Sequence, residues 1–290
     1  MADVGPGVEP FSVFEELDDE AWFGVLVRSL NEPIINGIPL PGFPPPDFQA
    51  LSIGSSGEPA LREAYTFWRV IKDRALRAGI SLRPGTRVLD FGCGWGRMVR
   101  FFLRDLRSDD TWGVDVAADM LELCEPLFRH GHFERVPSSP PTSLPPSSFD
   151  VVYAYSVFSH LNESVGLAWV EELARVLRPG GILIVTTQGR SFLAFCEQLR
   201  RDGQPATAWH ESLAKSFTDL GASLAAYDRG DLLHAATGGG ADRPASFYGE
   251  TLIPQGYVER HWTRHLEFVE FTDDRAFLPQ ALIVMKKPAA

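Results

Sequence analysis

Residues 88–98 read Val-Leu-Asp-Phe-Gly-Cys-Gly-Trp-Gly-Arg-Met, and this stretch decides the fold. An apolar run ends in Asp90, and Gly92, Gly94 and Gly96 then follow at alternate positions. A surface turn needs one glycine, or two. Removing three side chains in five residues, directly behind a carboxylate, points to a backbone that lies close to something.

From Thr86 onward the chain alternates short apolar runs with amphipathic ones. "RVLDF" reads as a strand and "RMVRFFLRDLR" as an amphipathic helix with Met98, Phe101, Phe102 and Leu106 on one side. "TWGVDV" and "AADMLELCEPLF" repeat the pattern, and "HFERV" is a third strand. The Pro-Ser-rich "PSSPPTSLPPSS" is a loop by composition. "FDVVYAYSVF" is a fourth strand, "NESVGLAWVEELARVL" a helix ended by "RPGG", and "ILIVTT" a fifth strand. Strands alternating with helices predict a parallel sheet covered on both faces.

A strand, a Gly-x-Gly-x-Gly loop, a helix and an acid, Asp115, closing the next strand together make a nucleotide-type site. A dinucleotide site calls for Gly-x-Gly-x-x-Gly, and a Walker loop for Gly-Lys-Ser/Thr; the chain has neither. Asp90 would oppose a pyrophosphate. A phosphate-free adenosine compound carrying an ammonium and a sulfonium, S-adenosylmethionine, fits the loop. Its cations suit Asp90, its carboxylate the loop amides, and its ribose hydroxyls Asp115.

These residues resemble the motifs of class I S-adenosylmethionine-dependent methyltransferases. "VLDFGCGWGRM" resembles the first motif, "GVDV" the second, "FDVVYAYSVFSHL" the fourth, and "ARVLRPGGILIVTT" that of the fifth strand. "LEFVEF" and "ALIVMKK" resemble the closing hairpin. The resemblance implies a doubly wound, Rossmann-like α/β fold: a mostly parallel seven-stranded sheet with an antiparallel last strand. It places Asp90, Gly92, Cys93, Gly94 and Gly96 around the methionine end of the cofactor. Asp115 then holds the ribose and Val116 packs on adenine. The acid expected after the third strand is missing, so Ser138, Ser139 or backbone must read the adenine amine. Ser156 is expected beside the methyl group, with Tyr155 and His160 as catalytic candidates and His160 as the general base. The alternative for His160 is a helix cap or pocket wall. Tyr153 and Tyr155 alternate along the strand, which also fits packing.

The segments flanking this core set the domain expectations. Residues 1–82 read as an N-terminal helical extension, 83–190 as the cofactor-binding core, 191–250 as a lid and acceptor-recognition insertion, and 251–290 as the rest of the core. Within the extension, 33–48 is proline-rich and reads as a linker rather than a helix, and Glu58–Gly79 as a helix. Tyr65, Phe67 and Trp68 read as packing. Trp209, Tyr248 and Trp262 are offered as apolar walls for an acceptor.

With 27 basic against 38 acidic residues, the net charge of −11 repels nucleic-acid phosphates. The fourth-strand segment also lacks the motifs of DNA-methylating enzymes. The acceptor is therefore expected to be a small molecule, such as a sugar or secondary metabolite, methylated on oxygen or nitrogen. The alternative is a non-catalytic S-adenosylmethionine-binding sensor or partner subunit. Transfer of an aminopropyl group would call for further acids near Ser156, and "YAYSVFSH" has none.

Cys93, Cys124 and Cys196 form no CxxC pair, so neither a zinc site nor a disulfide framework is expected, and the cytoplasm is the default compartment. Cys93 reads as a small residue in a crowded loop. His261 and His265 lie one helical turn apart without an evident third ligand, so no metal is expected. Arg97, Arg100, Arg104 and Arg107 share a helix face and read as a solvated stripe. No run of about 18 apolar residues suggests a membrane span. A homodimer is compatible with these features.

Overall fold

The computed structural model describes residues 10–128, 131–240 and 242–289. Seven strands form one sheet in the order β10-β11-β7-β6-β3-β4-β5, and the chain divides into two compact units.

The first unit runs to Val136 and includes Ser148–Tyr153. It begins with a 3-10 turn at Pro10–Phe14 and helix α1 (Asp19–Arg28). The Asp18 side chain caps α1 by accepting from the Ala21 amide at 2.8 Å, and acids fill its first turn. A two-residue hairpin follows, β1 (Ile34–Ile35) against β2 (Ile38–Pro39). The proline-rich stretch does not stay extended. Helix α2 (Pro46–Ile53) starts inside it, because a proline at the first helical position lacks only an amide hydrogen that would have no helical partner. Helix α3 (Gly57–Arg77) buries Leu61, Ala64, Tyr65, Trp68, Ile71 and Ala75, the 3.6-residue stripe seen in the sequence. The core strands are β3 (Val88–Phe91), β4 (Thr111–Asp115), β5 (His132–Arg135) and β6 (Phe149–Ala154), with helix α4 (Ala118–Leu127) between β4 and β5. β3 pairs in parallel with both β4 and β6, and all four of its residues are buried, as a central parallel strand requires.

Residues 97–107 depart from the expectation of an amphipathic α-helix with a solvated arginine face. The segment is a 3-10 helix, Val99–Arg104, and only Arg107 of the four arginines is exposed. Arg97, Arg100 and Arg104 are 7 %, 0 % and 8 % exposed. Each reaches a different part of the N-terminal extension. Arg97 donates to the Ala60 carbonyl and to Glu63 at 2.7 Å. Arg100 donates to the carbonyls of Pro41 and Gly42 and lies over the rings of Phe43, Trp95 and Phe128. Arg104 donates to the Leu17 carbonyl and to Asp19 at 2.7 Å. A buried guanidinium must find acceptors or aromatic faces, and the extension supplies both.

The second unit comprises Pro137–Ser147 and the chain from Ala154 onward. It holds α5 (Glu163–Val176), β7 (Leu177–Thr187), α6 (Ser191–Asp202), α7 (Ala208–Ala214) and α8 (Leu220–Asp228). β8 (Leu233–Ala235), β9 (Glu250–Leu252), α9 (Gln255–His261), β10 (Glu267–Thr272) and β11 (Ala281–Lys286) complete it. β11 runs antiparallel to both β7 and β10, as expected for the last strand. "RPGG" belongs to the start of β7 rather than to a helix stop. Within 191–250, α6, α7 and α8 pack Phe192, Leu193, Cys196, Leu213 and Tyr227 against Leu252. Trp262 is buried against Phe158 at 5.2 Å, so it serves packing rather than an acceptor wall.

One carboxylate gathers several bonds at the Pro-Ser loop. Glu172 of α5 accepts from the Thr142 amide and hydroxyl at 2.8 and 2.5 Å and from Arg175 at 2.7 Å. The Arg175 guanidinium, then the Thr142 bonds, hold its carboxyl down to about 2. Because the folded value lies below the unfolded one, this stability is present above about pH 4.5 and is lost as pH falls toward 2. Arg175 is 35 % exposed, so solvent screens part of the gain. Urea unfolding of wild type and Glu172→Gln at pH 6 and pH 3 should show the mutational cost shrinking by about 1–2 kcal/mol at the lower pH. An equal cost at both pH values would contradict this assignment.

Candidate functional site

The order of strands reverses at β3, and the glycine loop leaves its carboxyl end; ligands of doubly wound sheets bind at such a point. The three glycines have three different reasons. Gly92 adopts φ 83°, and its amide, with that of Cys93, donates to the Val114 carbonyl. Gly96, at φ 76°, faces Phe128: a Cβ there would lie 2.5 Å from the ring. Gly94, at φ 53°, has no atom within 4 Å of where its Cβ would stand.

Asp115 organises the loop. Its Oδ2 accepts from the Gly94 amide and its Oδ1 from the Ala117 amide, both at 2.9 Å. Asp115 itself is half-buried. The amides of Gly92, Cys93, Gly94 and Gly96 are all bonded within the loop and its neighbouring strand, so in this conformation none of these amides is offered to a ligand carboxylate as expected. Val116 is half-buried, and its carbonyl accepts from Arg135.

Asp90 differs from Asp115 in every respect. It is 2 % exposed, and its Oδ2 has no hydrogen-bond partner; the same holds for the hydroxyl of buried Tyr153. Burial pushes the Asp90 carboxyl up to about 8, with the Asp115 charge adding to the rise and the Tyr153 hydroxyl opposing it. Burial thus favours the protonated acid, and a cation placed nearby would favour its ionisation. Tyr153 stacks on Phe102 at 5.5 Å and meets Phe67 edge-on, so its role is packing around Asp90. Cys93 is buried, and the neighbouring Cys124 thiol and burial raise its pKa, so it is an inert neutral thiol in a crowded loop. Trp95 points into a cluster with Ala117 and Met120 that Phe43, Phe48 and Ile53 of the N-terminal extension cover. This cover was not legible as part of the site, because nothing in the linker's composition names its partner.

In the second unit the chain leaves β6 through Ser156, a non-glycine residue at φ 59°. Such strain persists only where the surroundings impose it. The Ser156 amide donates to Thr186 Oγ1 at 2.8 Å, and its Oγ accepts from Gln280 at 3.0 Å. Ser156 Oγ lies 3.4 Å from His160 Nε2, and His160 Nδ1 lies 2.7 Å from the Gly249 carbonyl. A carbonyl only accepts, so Nδ1 carries the hydrogen and Nε2 presents its lone pair toward Ser156. Tyr248 stacks on the imidazole at 4.7 Å, and Glu250 Oε1 stands 3.8 Å from Nδ1. The segment is fixed by main-chain bonds: Gly249 N to the His160 carbonyl and Thr251 N to the Ser159 carbonyl. Gly249 is obligatory, since a Cβ would stand 2.0 Å from the Ala235 carbonyl.

Tyr155 is half-buried just beyond β6, and Ser138 and Ser139 are exposed on the Pro-Ser loop, where the Ser138 carbonyl accepts from Trp169. His261 stacks on Tyr257 at 4.3 Å and His265 is exposed; among the described residues no cluster of His, Cys, Asp or Glu could hold a metal. Glu250, Gln280 and Thr186 were missed in the sequence. Glu250 alone carried a signal, an acid inside the apolar strand "ETLI".

Residues 88–181 match the family described as "Methyltransferase domain". This part of the chain is similar to a methyltransferase domain. Similar proteins include the 2-methyl-6-phytyl-1,4-hydroquinone methyltransferase of Synechocystis, 29 % identical over 47 % of this chain and 43 % of that protein. The trans-aconitate 2-methyltransferase of Rhodopseudomonas palustris is 35 % identical over 39 % of this chain and 42 % of its own length. The ubiquinone biosynthesis O-methyltransferase of Bradyrhizobium is 32 % identical over 43 % and 51 %. The chain thus spans about half the length of the curated relatives it matches. Among solved structures, an S-adenosylmethionine-dependent methyltransferase of Clostridium acetobutylicum shares the fold with TM-score 0.50 at 13 % identity, covering 78 % of this chain and 92 % of that one. Cofactor and site fit each other in the methyltransferase domain. Gly94 leaves the space beside it open, and Asp90 offers a buried oxygen, Oδ2, without a hydrogen-bond partner. Among the described residues no helix is long and apolar enough to cross a membrane.

The glycine analysis ranks two substitutions. Gly96→Ala should lower unfolding free energy by about 2–4 kcal/mol, from the Phe128 clash and the positive φ together. Gly94→Ala should cost only about 1 kcal/mol, from φ alone. Denaturant titration of both variants checks the order; equal costs would refute it.

Proposed function

We propose that the chain transfers a methyl group from S-adenosylmethionine to oxygen or nitrogen of a small organic molecule. The observation that carries this reading is the Asp115 hydrogen bond to Gly94 in the glycine loop that follows buried Asp90, whose Oδ2 has no partner, within a matched methyltransferase domain. In this reading Asp115 receives the ribose hydroxyls, Val116 borders the adenine, and Gly94 admits the ligand. Asp90 loses its proton to balance the cationic end. Ser138, Ser139 and Ser156 are further proposed cofactor contacts. When bound, the cofactor supplies a methyl group on a sulfonium, activated for in-line displacement.

His160 is proposed as the general base. Its Nδ1–H is fixed on the Gly249 carbonyl, which leaves Nε2 to take a proton. A neutral amine needs little beyond desolvation, whereas a hydroxyl needs a base, so this arrangement favours oxygen as the acceptor atom. Relatives named for a hydroquinone, for trans-aconitate and for O-methylation in ubiquinone biosynthesis support a small organic acceptor, and the net charge of −11 supports one without phosphates. The helices of 191–250 are proposed to recognise it, and Tyr155 to border it.

Calorimetry with Asp115→Ala should show S-adenosylmethionine binding weakened by about 1–3 kcal/mol, the worth of charged hydrogen bonds. Unchanged affinity would remove the ribose assignment. With an acceptor found by mass screening, His160→Ala should lower turnover by about 10²–10⁴-fold while cofactor affinity holds. Near-normal turnover would leave His160 a structural residue.

A further inference from the structure

We infer that Glu250 is the positioning residue that makes His160 a base: it serves as the counter-charge for the imidazolium formed when Nε2 takes a proton from an acceptor hydroxyl. The inference rests on the proposed role of His160 and extends it to a residue ninety positions away in sequence.

Glu250 is 2 % exposed. Its Oε1 accepts from the Trp209 indole at 2.8 Å and its Oε2 from the Gln188 amide at 3.1 Å. Both donors are neutral, and no lysine or arginine pairs with it among the described residues. A carboxylate so deeply buried is costly unless a positive charge stands near. The one basic group within ion-pair distance is His160, with Nδ1 at 3.8 Å from Oε1. That nitrogen already donates to the Gly249 carbonyl at 2.7 Å, so Glu250 acts through its charge and not as a competing acceptor.

The other groups around the imidazole do not take this place. His234 donates or accepts at Thr251 Oγ1, and burial, then the His160 charge, lower its pKa, so it stays neutral. Tyr248 covers one face of the imidazole, and the Arg243 guanidinium lies 5.7 Å from the Tyr248 ring centre. Cys196, beside Glu250, is pushed up to about 12 by burial and by the Glu250 charge, so it adds no charge. Ser156 and Ser159 are neutral.

The proton balance is simple. The acceptor O–H bond breaks, a new N–H bond forms at Nε2, and the acceptor oxygen takes the methyl group as the sulfonium releases it. The net positive charge moves from the cofactor to His160, next to Glu250. Trp209 sits on α7, half-exposed at 47 %, so one end of the Glu250 network lies in the proposed acceptor-recognition segment.

The test is an NMR titration of the His160 ring signals, assigned by their loss in His160→Asn, in wild type and Glu250→Gln. Removing a charge at this distance should lower the midpoint of the titration by about one pH unit or more. A midpoint within a few tenths of wild type would overturn the inference. Should Glu250→Gln fail to fold, Glu250→Asp withdraws the carboxylate while keeping its charge: a lowered midpoint supports the role and an unmoved one overturns it. S-adenosylmethionine calorimetry on the same samples separates the two readings. A wild type that binds no cofactor removes the methyltransferase reading and leaves the midpoint shift standing. Normal binding with an unmoved midpoint removes only the role of Glu250.

Discussion

Three guanidinium groups with almost no access to water constrain the first unit more than any apolar contact does. Arg100 and Arg104 lie on one short 3-10 helix and Arg97 two residues before it, and each meets a different stretch of the N-terminal extension. Burying a charge without partners costs several kcal/mol, so the extension has to dock wherever the arginines are. Arg100 shows the principle without any carboxylate. Burial pushes its pKa down to about 9, and it is held by the Phe43, Trp95 and Phe128 rings and by two carbonyls. The docked extension then lays Phe43, Phe48 and Ile53 on Trp95, Ala117 and Met120, beside the glycine loop. Residues before the matched segment in this way pack against the residues beside its glycine loop.

Within that region two aspartates divide the electrostatic labour. Asp115 is half-buried and spends its charge on loop amides, which sets the conformation of Gly94. Asp90 is buried, which raises its pKa and favours its protonated form, and a cation nearby would favour its ionisation. The loop's own amides are already bonded. Binding of a ligand carboxylate there would require those bonds to exchange, and Gly94, with its open side, is the position best suited to move.

The second unit solves a different problem, that of holding an imidazole in one tautomer. Residues 159–161 are bridged to 248–251 by main-chain hydrogen bonds, which bring the Gly249 carbonyl to Nδ1 and the Glu250 carboxylate near it. The strained backbone of Ser156 is imposed by Thr186 and Gln280, side chains from β7 and from the residue before β11. Strain maintained by partners on other strands is characteristic of sites that must keep a fixed geometry.

The sequence by itself determined the alternation of strands and helices and the place of the glycine loop behind Asp90 and before Asp115; the antiparallel last strand was implied by the resemblance to a family. Apolar periodicity, glycine spacing and strand-end acids are local signals, and local backbone physics reads them. It did not determine which glycine faces a ligand and which faces Phe128, since both look alike without neighbours. It misread Arg97, Arg100 and Arg104 as solvated, because a charged stripe is cheap in water and only its tertiary partners reveal that it is buried. It placed His160 but not Glu250, Gln280 or Thr186, whose meaning comes from contacts across thirty to more than a hundred residues. Composition and spacing record what a residue can do; only the folded chain decides what it is next to, and charge, tautomer and acidity all follow from that.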